Sequence, residues 1–436
     1  MKTPYILALC LGVALAARVA VLMTHEPDKK AWGDSAQYVN LGASVADGKG
    51  FVLYEGNYWP GKPTIIRAPG WPLALSFAFR VFPVEWRWEV AMGLAVLLDG
   101  INVLLIYLLA RGVGGGKVSG LASAFLYALS PVMAAWCLFV ASEVMGITLI
   151  LVFLNYFVRI AGAGHPDVET ALSGSKVKMG LAGLFLGLAA LVRPNFLLIG
   201  FVLAAGLLWT GRRKLSAPFV VVSVFIFASL VPLSPWLIRN AMVFGSFPIL
   251  GAGGGETLYG GNNDLAAERG GVREGYLILP GDLPREKSLV ELAAVMNEFQ
   301  VDRYYLSRGV EWIREHISKM PRLVLMKITR AYIPISPSRK REVLVANLYR
   351  AVVDLLAIGG LVILFRKGRK LPWWPSLAFV SVFLAHIALA AVFCGLNRFA
   401  LPSEILLVIP AGYALAMGGK WMGGILDRHP HPSPLP

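Results

Sequence analysis

Long apolar runs separated by short polar segments follow one another along this chain. Each run is close to the ~20 residues that an α-helix needs to cross a bilayer. The pattern therefore predicts an all-α, polytopic membrane protein with about ten transmembrane helices. The predicted spans cover residues 5–23, 89–110, 118–136, 144–160, 179–192, 195–209, 217–238, 344–365, 374–394 and 401–417.

The composition agrees with this fold class. Of the 436 residues, 56% are apolar and 15% are charged, whereas a soluble domain holds about 25% charged residues. The net charge is +15. Lys and Arg cluster in short loops, as the positive-inside rule predicts for the cytoplasmic side of the membrane. No long basic face with interleaved aromatic residues is present, so nucleic acid is not a predicted partner. The basic residues of the short loops assigned inside are Arg111, Lys117, Lys176, Lys178, Arg212, Arg213, Lys214, Arg366, Lys367, Arg369 and Lys370.

The first apolar run has two interpretations. Lys2 precedes it and Ala14-Leu15-Ala16 resembles the cleavage site of a signal peptide. The run continues to Met23 and further spans follow, which favours an uncleaved first helix that starts inside. The compact size, without a large soluble domain, favours a multi-pass protein of the bacterial inner (plasma) membrane with its outer loops in the periplasm.

The polar segments divide the chain into six predicted parts. They are the first helix (1–23), the first outer loop with its juxtamembrane helices (24–88), transmembrane helices two to seven (89–238), an outer helical segment (239–343), transmembrane helices eight to ten (344–418) and a cytoplasmic tail (419–436).

The outer segment holds three further features. Residues 251–263 form a glycine-rich loop that lacks the Lys-Ser/Thr pair of a phosphate-binding P-loop. We expect this loop to let backbone approach the substrate or the helical bundle. Residues 284–317 have the spacing of amphipathic helices, and residues 322–333 are predicted to lie in the membrane interface.

The first outer loop contains a predicted helix that lies on the membrane surface. Asp34 to Ala46 places Tyr38 and other apolar residues on one face at helical spacing. Asp34 and Gln37 have the spacing of a capping box at a helix start. Gly48 follows the helix and supplies the left-handed conformation that ends it.

A proline-rich run follows in the same loop. Pro63, Pro69 and Pro72 exclude a regular helix around Arg67. The stretch from residue 32 to residue 72 is thus polar and rich in Gly and Pro, although it lies between two strongly apolar segments. We expect the rest of the chain to hold this loop against a membrane surface.

Charged residues that the predicted topology places at the outer side form one group. Such residues at membrane depth are costly and are usually paired or functional. Arginine binds phosphate oxygens through a planar fork, and a nearby carboxylate can take a proton from an incoming hydroxyl or amine. The pattern therefore predicts a site for an anionic, lipid-linked substrate. The group comprises Asp34, Arg67, Glu143, Arg193 and Arg398, with Arg239 at its border.

At these positions the chain resembles the GT-C glycosyltransferases. The resemblance is strongest to the polyprenyl-phosphate-dependent family 39 group, which includes protein O-mannosyltransferases and aminoarabinose transferases acting on lipid A. The resemblance covers most of the chain. It rests on short motifs that occur in the same order as in the family and that the predicted topology places on the same side of the membrane. These are GDSAQY at 33–38, DGKGF at 47–51, PTIIRAPGWPLAL at 63–75, SE at 142–143, RPN at 193–195, PWLIRN at 235–240 and RFALP at 398–402.

The resemblance implies a GT-C-like bundle and roles for individual residues. Asp34 matches the acidic residue of the first loop and is expected to be the catalytic base. Arg67 and Arg398 match basic residues expected near the phosphate of the donor lipid. Phe399 stands where the late family motif usually has Tyr, so one hydroxyl contact is lost. Tyr38, Glu143, Arg193 and Arg239 complete the set predicted to contact substrate.

The resemblance leaves the cofactor open. Metal-using relatives carry a second acidic residue next to the first, whereas Ser35 follows Asp34 here. No Asp-x-Asp-type motif supports a divalent metal, and no metal ligand is predicted. The three cysteines lie in or beside apolar runs without metal-ligand spacing and are predicted to be packing residues.

Each predicted site residue also has a structural interpretation. Asp34 could serve only as a helix cap, and that position would lower its basicity. Arg67 and Arg398 could anchor to lipid headgroups. Glu143 and Arg193 could form ion pairs inside the bundle.

The predicted function is inverting transfer of a sugar from a polyprenyl-phosphate donor at the outer membrane face. The acceptor, whether lipid, glycan or protein, is left open, and membrane lipids are the other expected partners. One alternative is a flippase or transporter of lipid-linked sugars, for which Asp99 and Asn102 in the second span are candidate mid-bilayer groups. Another is a ligase or polymerase that uses oligosaccharide on a polyprenyl diphosphate.

Overall fold

The computed structural model describes residues 3–27, 29, 33–161, 176–210, 216–245, 250–269, 272–273, 276–277, 283, 286–333, 341–366 and 373–426. Nearly all of this chain is α-helical, as predicted, and one antiparallel ribbon joins β1 (Val272–Arg273) to β2 (Tyr276–Leu277). Several basic residues assigned to the inner loops, among them Arg212 and Lys367, and the end of the predicted tail lie outside the described residues.

The helices are numbered here in chain order. The first half of the chain contains α1 (Thr3–Thr24), α2 (Asp34–Ala46), α3 (Gly70–Phe79), α4 (Arg87–Ala110), α5 (Gly116–Ala128), α6 (Pro131–Leu138), α7 (Glu143–Ala161), α8 (Lys176–Val192), α9 (Leu197–Thr210), α10 (Ser216–Leu230) and α11 (Ser234–Phe244). The second half contains α12 (Gly254–Gly261), α13 (Asp264–Arg269), α14 (Leu289–Ala293), α15 (Glu298–Glu315), α16 (Met320–Tyr332), α17 (Arg341–Arg366), α18 (Trp373–Val392), α19 (Asn397–Leu406) and α20 (Val408–Leu426).

Each predicted span contains at least one of these helices, and the spans 118–136, 217–238 and 401–417 each contain parts of two. Five helical stretches among the described residues are long and apolar enough to cross a membrane, and a sixth is obtained if α10 and α11, bent by 55°, count as one span. One of the five runs from α4 through a π-helical turn into α5 and breaks at Gly114, whose φ is 87°. The protein is therefore a multi-pass membrane protein, and the count of ten spans stays a prediction.

The first outer loop folds close to its predicted form. The helix predicted from Asp34 to Ala46 is confirmed with the same bounds, and Gly48 after it has a φ of 76°. The predicted capping box is wrong, because Gly33 is the N-cap and makes no side-chain hydrogen bond. The backbone of α2 lies directly against α3, where a Cβ on Gly42 would stand 2.8 Å from Leu75 Cβ. These two helices cover the end of the bundle.

An ion pair buried inside the bundle joins α1 to α4. Arg18 Nε donates to Asp99 Oδ2 at 2.7 Å, and both side chains are 1% exposed. The Arg18 guanidinium also reaches the carbonyl of Ala128 at the end of α5, and the Tyr127 hydroxyl donates to Asp99 Oδ1 at 2.6 Å. Asp99, the carboxylate considered for a transporter site, is thus fully engaged in holding three helices together.

The glycine-rich stretch at 251–263 is mainly a helix rather than a loop. Its glycines permit close backbone contact, since a Cβ on Gly255 would lie 1.9 Å from the carbonyl oxygen of Asp302. Asp302 Oδ1 accepts the backbone N–H groups of Gly253 and Gly255, both at 2.8 Å. A carboxylate of the chain therefore occupies the helix N-terminus at which an anion would bind.

The stretch predicted to be interfacial at 322–333 is an amphipathic helix with a fully buried lysine. Lys327 is 0% exposed, and its Nζ donates to Asn262 Oδ1 at 2.7 Å and to the Val392 carbonyl at 3.3 Å. The side chain thereby joins α16 to the end of α12 and to the end of α18. It stabilises the segment that leads into α19.

Two charged side chains clamp the proline-rich run ahead of Arg67. Glu298 on α15 accepts the backbone N–H of Ile65 at 2.6 Å and the hydroxyl of Thr64 at 2.8 Å. Arg239 on α11 donates to the carbonyl of Thr64 at 3.0 Å. The run is irregular, so its backbone groups need such partners from outside the loop.

Removing Arg18 tests the buried ion pair. We expect Arg18→Met to lower the free energy of unfolding by about 3–5 kcal/mol, because it leaves Asp99 charged and buried without its partner. We expect the double substitution Arg18→Met with Asp99→Leu to recover most of this loss. Unfolding of the purified protein in detergent micelles measures both effects, and a single variant as stable as the wild type would contradict the assignment.

The clamp predicts a pH-dependent contribution to stability from Glu298. Burial raises the pKa of this carboxyl to about 7 despite the hydrogen bonds from Ile65 and Thr64 and the nearby Arg239. The folded pKa exceeds the ordinary 4.5, so the contribution is fully present below 4.5 and is lost as the pH rises through about 7.

We therefore expect the wild type to lose stability relative to Glu298→Gln between about pH 5 and pH 8, on the order of 1–3 kcal/mol. Thermal unfolding of both proteins across this range measures the difference. A difference that does not change with pH would contradict the prediction. The exposed Glu311 on the same helix gives the control, since Glu311→Gln has no buried charge to remove.

Candidate functional site

Asp34 lies between two arginines that come from distant parts of the chain. Arg398 Nη1, at the start of α19, donates to Asp34 Oδ2 at 2.7 Å. Arg67 Nη2, in the proline-rich run, forms an ion pair with Asp34 Oδ1. The side chains are partly open to solvent, with 36% exposed for Asp34, 20% for Arg67 and 36% for Arg398. The structure thus joins the first loop to the last membrane hairpin through one carboxylate.

The two guanidinium groups control the charge of this carboxylate. Burial alone would raise the pKa of Asp34, but Arg67 and Arg398 outweigh that effect and lower the pKa to about 2. The carboxylate is also in the first turn of α2, where the helix dipole favours negative charge. Asp34 is therefore ionised at neutral pH and, while both arginines bind it, is a weak base.

The side chain of Arg67 is held by neighbours on α2. Its Nε donates to Gln37 Oε1 at 2.8 Å, and its guanidinium carbon lies 5.4 Å from the centre of the Tyr38 ring. Gln37 in turn donates through Nε2 to the carbonyl of Gly56 at 2.6 Å. Gln37 therefore orients Arg67 rather than capping α2, a role that its spacing from Asp34 did not indicate.

A second ion pair lies next to the first. Arg193 Nη1 pairs with Glu143 Oε1 at 2.6 Å, and these side chains are only 11% and 5% exposed. Arg193 also donates to Ser142 Oγ at 3.2 Å, and the Tyr38 hydroxyl donates to the same oxygen at 3.1 Å. Tyr38 therefore bridges the two pairs. The structure brings together Asp34, Arg67, Glu143, Arg193 and Arg398, as the sequence predicted.

Arg239 is the predicted site residue that the structure places outside this cluster. Its guanidinium donates to the carbonyls of Thr64 and Phe51 and lies 4.8 Å from the centre of the Trp236 ring. No described residue of the Asp34 cluster appears among its hydrogen-bond partners. Its contacts support the loop that presents Arg67.

Three charged residues near the cluster were not among the site residues predicted from the sequence. Glu256 on α12 interacts electrostatically with Arg67, and burial raises the pKa of its carboxyl. Arg350 on α17 forms an ion pair with Glu404 on α19, two helical turns beyond Arg398. The pairing of Glu404 with Arg350 required the tertiary structure.

The described part of the chain contains no group of three or more His, Cys, Asp and Glu side chains that could hold a metal ion. The Asp34 cluster holds two carboxylates and three guanidinium groups, a set that suits an anion better than a cation. Chemically, the cluster can bind a phosphate through two arginine forks. It can also place a carboxylate beside the group attached to that phosphate.

A family model matches the segment that contains much of this site. Residues 66–238 match the dolichyl-phosphate-mannose-protein mannosyltransferase family. This segment includes Arg67, Glu143 and Arg193, whereas Asp34 and Arg398 lie outside it. No curated protein matches the chain in sequence.

Solved structures share the fold at low sequence identity. The oligosaccharyltransferase of Archaeoglobus fulgidus, tethered to an acceptor peptide, aligns with a TM-score of 0.57 and 15% identity over 98% of this chain and 51% of its own. The same archaeal enzyme in complex with an inhibitory peptide and a dolichol-phosphate has a TM-score of 0.55, with 14% identity over 100% and 52% of the two chains. ArnT from Cupriavidus metallidurans bound to undecaprenyl phosphate has a TM-score of 0.45, with 13% identity over 99% and 82%.

These comparisons bear on the fold and on the family. The chain spans about half the length of the archaeal oligosaccharyltransferase, with 51% of that protein covered. The shared region is the helical membrane bundle that carries the Asp34 cluster here. The chain is therefore similar to the dolichyl-phosphate-mannose-protein mannosyltransferase family over residues 66–238, and it shares its fold with the archaeal oligosaccharyltransferase.

Proposed function

We propose that this protein transfers a glycosyl group from a polyprenyl-phosphate donor to an acceptor at the outer face of a membrane. The observation that carries the proposal is the single carboxylate of Asp34 shared by Arg67 and Arg398. The proposed setting is the periplasmic face of a bacterial inner membrane. The match to the dolichyl-phosphate-mannose-protein mannosyltransferase family supports a monophosphate lipid as the donor carrier.

The two arginines of the Asp34 cluster are the proposed phosphate ligands. Each contacts Asp34 through one Nη atom, and a guanidinium has five N–H donors in a planar fork. A phosphate that enters between them replaces carboxylate oxygens with phosphate oxygens, so both guanidinium groups keep an anionic partner. Arg193 is committed to Glu143 deeper in the bundle, so we assign it to the support of this site.

Donor binding would also activate the base. With Arg67 and Arg398 bound to phosphate, the carboxylate of Asp34 loses the interactions that lower its pKa. The negative phosphate nearby raises that pKa further, toward the range in which a carboxylate accepts a proton effectively. The proposed order is therefore donor first, acceptor second.

The chemical step is a single displacement. The acceptor oxygen or nitrogen forms a bond to the anomeric carbon of the donor while the bond from that carbon to the phosphate oxygen breaks. The phosphate leaves with the electron pair, and its negative charge is stabilised by Arg67 and Arg398, a contribution that can reach several kcal/mol. Asp34 takes the proton of the acceptor. Attack from the face opposite the phosphate inverts the anomeric configuration.

Two other functions fit the fold less well. A flippase or transporter of lipid-linked sugars needs a mid-membrane binding group, and the candidate Asp99 is consumed by Arg18 and Tyr127. A ligase or polymerase would use a diphosphate carrier, as in the lipid-linked oligosaccharide class. Donor assays with monophosphate and diphosphate lipids separate this second alternative from the proposal.

Replacing Asp34 tests the base. We expect Asp34→Asn to reduce turnover by at least about a hundredfold, because general-base catalysis contributes about 10²–10⁴-fold. Turnover of a polyprenyl-phosphate sugar by the purified protein measures the loss. Asp47→Asn is the matched control, because Asp47 lies at the other end of α2 and also pairs with an arginine, Arg87. Full turnover by Asp34→Asn would refute the assignment.

Replacing the arginines tests the phosphate site. We expect Arg67→Gln and Arg398→Gln each to weaken binding of polyprenyl phosphate by about 10–150-fold, since a hydrogen bond to a charged group contributes about 1.5–3 kcal/mol. Equilibrium binding of the lipid in detergent or nanodiscs measures this change. We expect Arg87→Gln, which removes an arginine from the Asp47 pair, to bind the lipid like the wild type. Unchanged affinity in both site variants would exclude these arginines as phosphate ligands.

A further inference from the structure

A cavity of ≈ 190 Å³ lies on the side of Arg398 away from the first loop. Its walls are the first half of α17, the face of α19 that carries Arg398, and the junction between α5 and α6. Arg398 thus touches both this cavity and Asp34. A group attached to a phosphate held by Arg398 would have room here.

Several polar groups in the cavity wall have unmet hydrogen-bonding capacity. In the part of the chain that the structure describes, the side chains of Asn347, Asp354 and Asn397 line the cavity without a hydrogen-bond partner; Asn347 and Asp354 are half-buried and Asn397 is exposed. The Nε atoms of Arg350 and Arg398 are buried and likewise have no partner among the described residues. An unsatisfied buried polar group costs about 1–3 kcal/mol. This wall is therefore suited to a ligand with many hydroxyl groups.

The charges of the wall balance one another. Arg350 pairs with Glu404, and Arg398 pairs with Asp34. Asp354 is attracted electrostatically to Arg350. The cavity thus offers a ligand no excess positive charge. Trp136 adds an aromatic ring to the wall, and aromatic rings combine an apolar face with a polar edge.

We propose that this cavity binds the glycosyl group of the donor and selects a single uncharged sugar unit. The inference rests on the proposed function and assigns specificity to Asn347, Asp354 and Asn397. The volume of ≈ 190 Å³ has room for one sugar ring. The lack of excess positive charge disfavours a uronic acid, whose carboxylate would face Asp354 and Glu404.

The other candidate occupant is the isoprenoid chain of the donor. Leu401, Ile405 and Val408 supply apolar surface on the same wall. An isoprenoid chain forms no hydrogen bonds, so it would leave the buried Nε atoms of Arg350 and Arg398 without partners and would cover the amides and the carboxylate of the wall. The unmet polar groups therefore favour the sugar, and the chain becomes an alternative outcome of the test.

The experiment compares binding of bare polyprenyl phosphate with binding of the same lipid carrying mannose, glucose or galacturonic acid. We expect the wild type to bind at least one neutral hexosyl lipid about tenfold or more tighter than the bare lipid, a difference of about 1.4 kcal/mol. We expect the galacturonyl lipid to gain nothing. Asn347→Ala and Asp354→Asn should lose the gain from the hexose while binding the bare lipid like the wild type.

Leu348→Ala is the matched control, because Leu348 follows Asn347 on α17 and is 65% exposed; it should preserve both affinities. Equal weakening of bare and glycosylated lipids by Asn347→Ala and Asp354→Asn would place the isoprenoid chain in the cavity and overturn the proposal. Unchanged affinities in both variants, or no gain from any hexose in the wild type, would also overturn it. Loss of bare-lipid binding in Arg398→Gln would still support the phosphate site, so the two proposals fail separately.

Discussion

The structure depends on ion pairs that join the carboxylates of Asp34 and Glu143 to arginines from distant segments of the chain. Asp34 is shared by Arg67 and Arg398, and Glu143 is paired with Arg193 beside them. In a membrane protein an isolated charge at this depth is costly, so each pair also fixes the segments that supply it. The first loop, the end of α8 and the start of α19 therefore meet at one place. The requirement for charge neutrality determines the geometry of the candidate site.

The same physical solution recurs away from that site. Arg18 and Asp99 tie α1 to α4 and reach the end of α5. Glu298 and Arg239 hold the backbone ahead of Arg67 from opposite sides. These pairs help to specify how the helices pack, because each pair can form in only one register of the helices that carry it. They make the irregular first loop as well defined as the helices beneath it.

The ion pairs of the Asp34 cluster can exchange partners when an anion binds. The arginines that lower the pKa of Asp34 to about 2 are the groups that an incoming phosphate would take. In the proposed function, substrate and carboxylate compete for the same donors, so binding of the donor would release the base. The adjoining cavity contains polar groups that the chain itself leaves unpaired. Resting state and bound state are thus distinguished by which oxygens satisfy the guanidinium groups.

The local features of this protein followed from sequence alone. Apolar runs determined the helical segments, and the positions of Asp34, Gly48 and the prolines determined α2 and its irregular successor. The alternation of spans predicted that Asp34, Arg67, Glu143, Arg193 and Arg398 lie on one side of the membrane, and these residues do form one cluster. The sequence did not determine the partner of any charge. Gln37 has the spacing of a helix cap, whereas the structure shows it orienting Arg67. Arg239 was predicted to contact substrate, and the structure shows it donating to the backbone of the first loop. The contacts of Arg350 and Lys327 had no signal in the sequence. Hydrophobic periodicity and helix-end signals relate residues that are close together in the sequence. The ion pairs of this protein join residues up to 364 positions apart. Only the packing of the helices decides which of the possible pairs form.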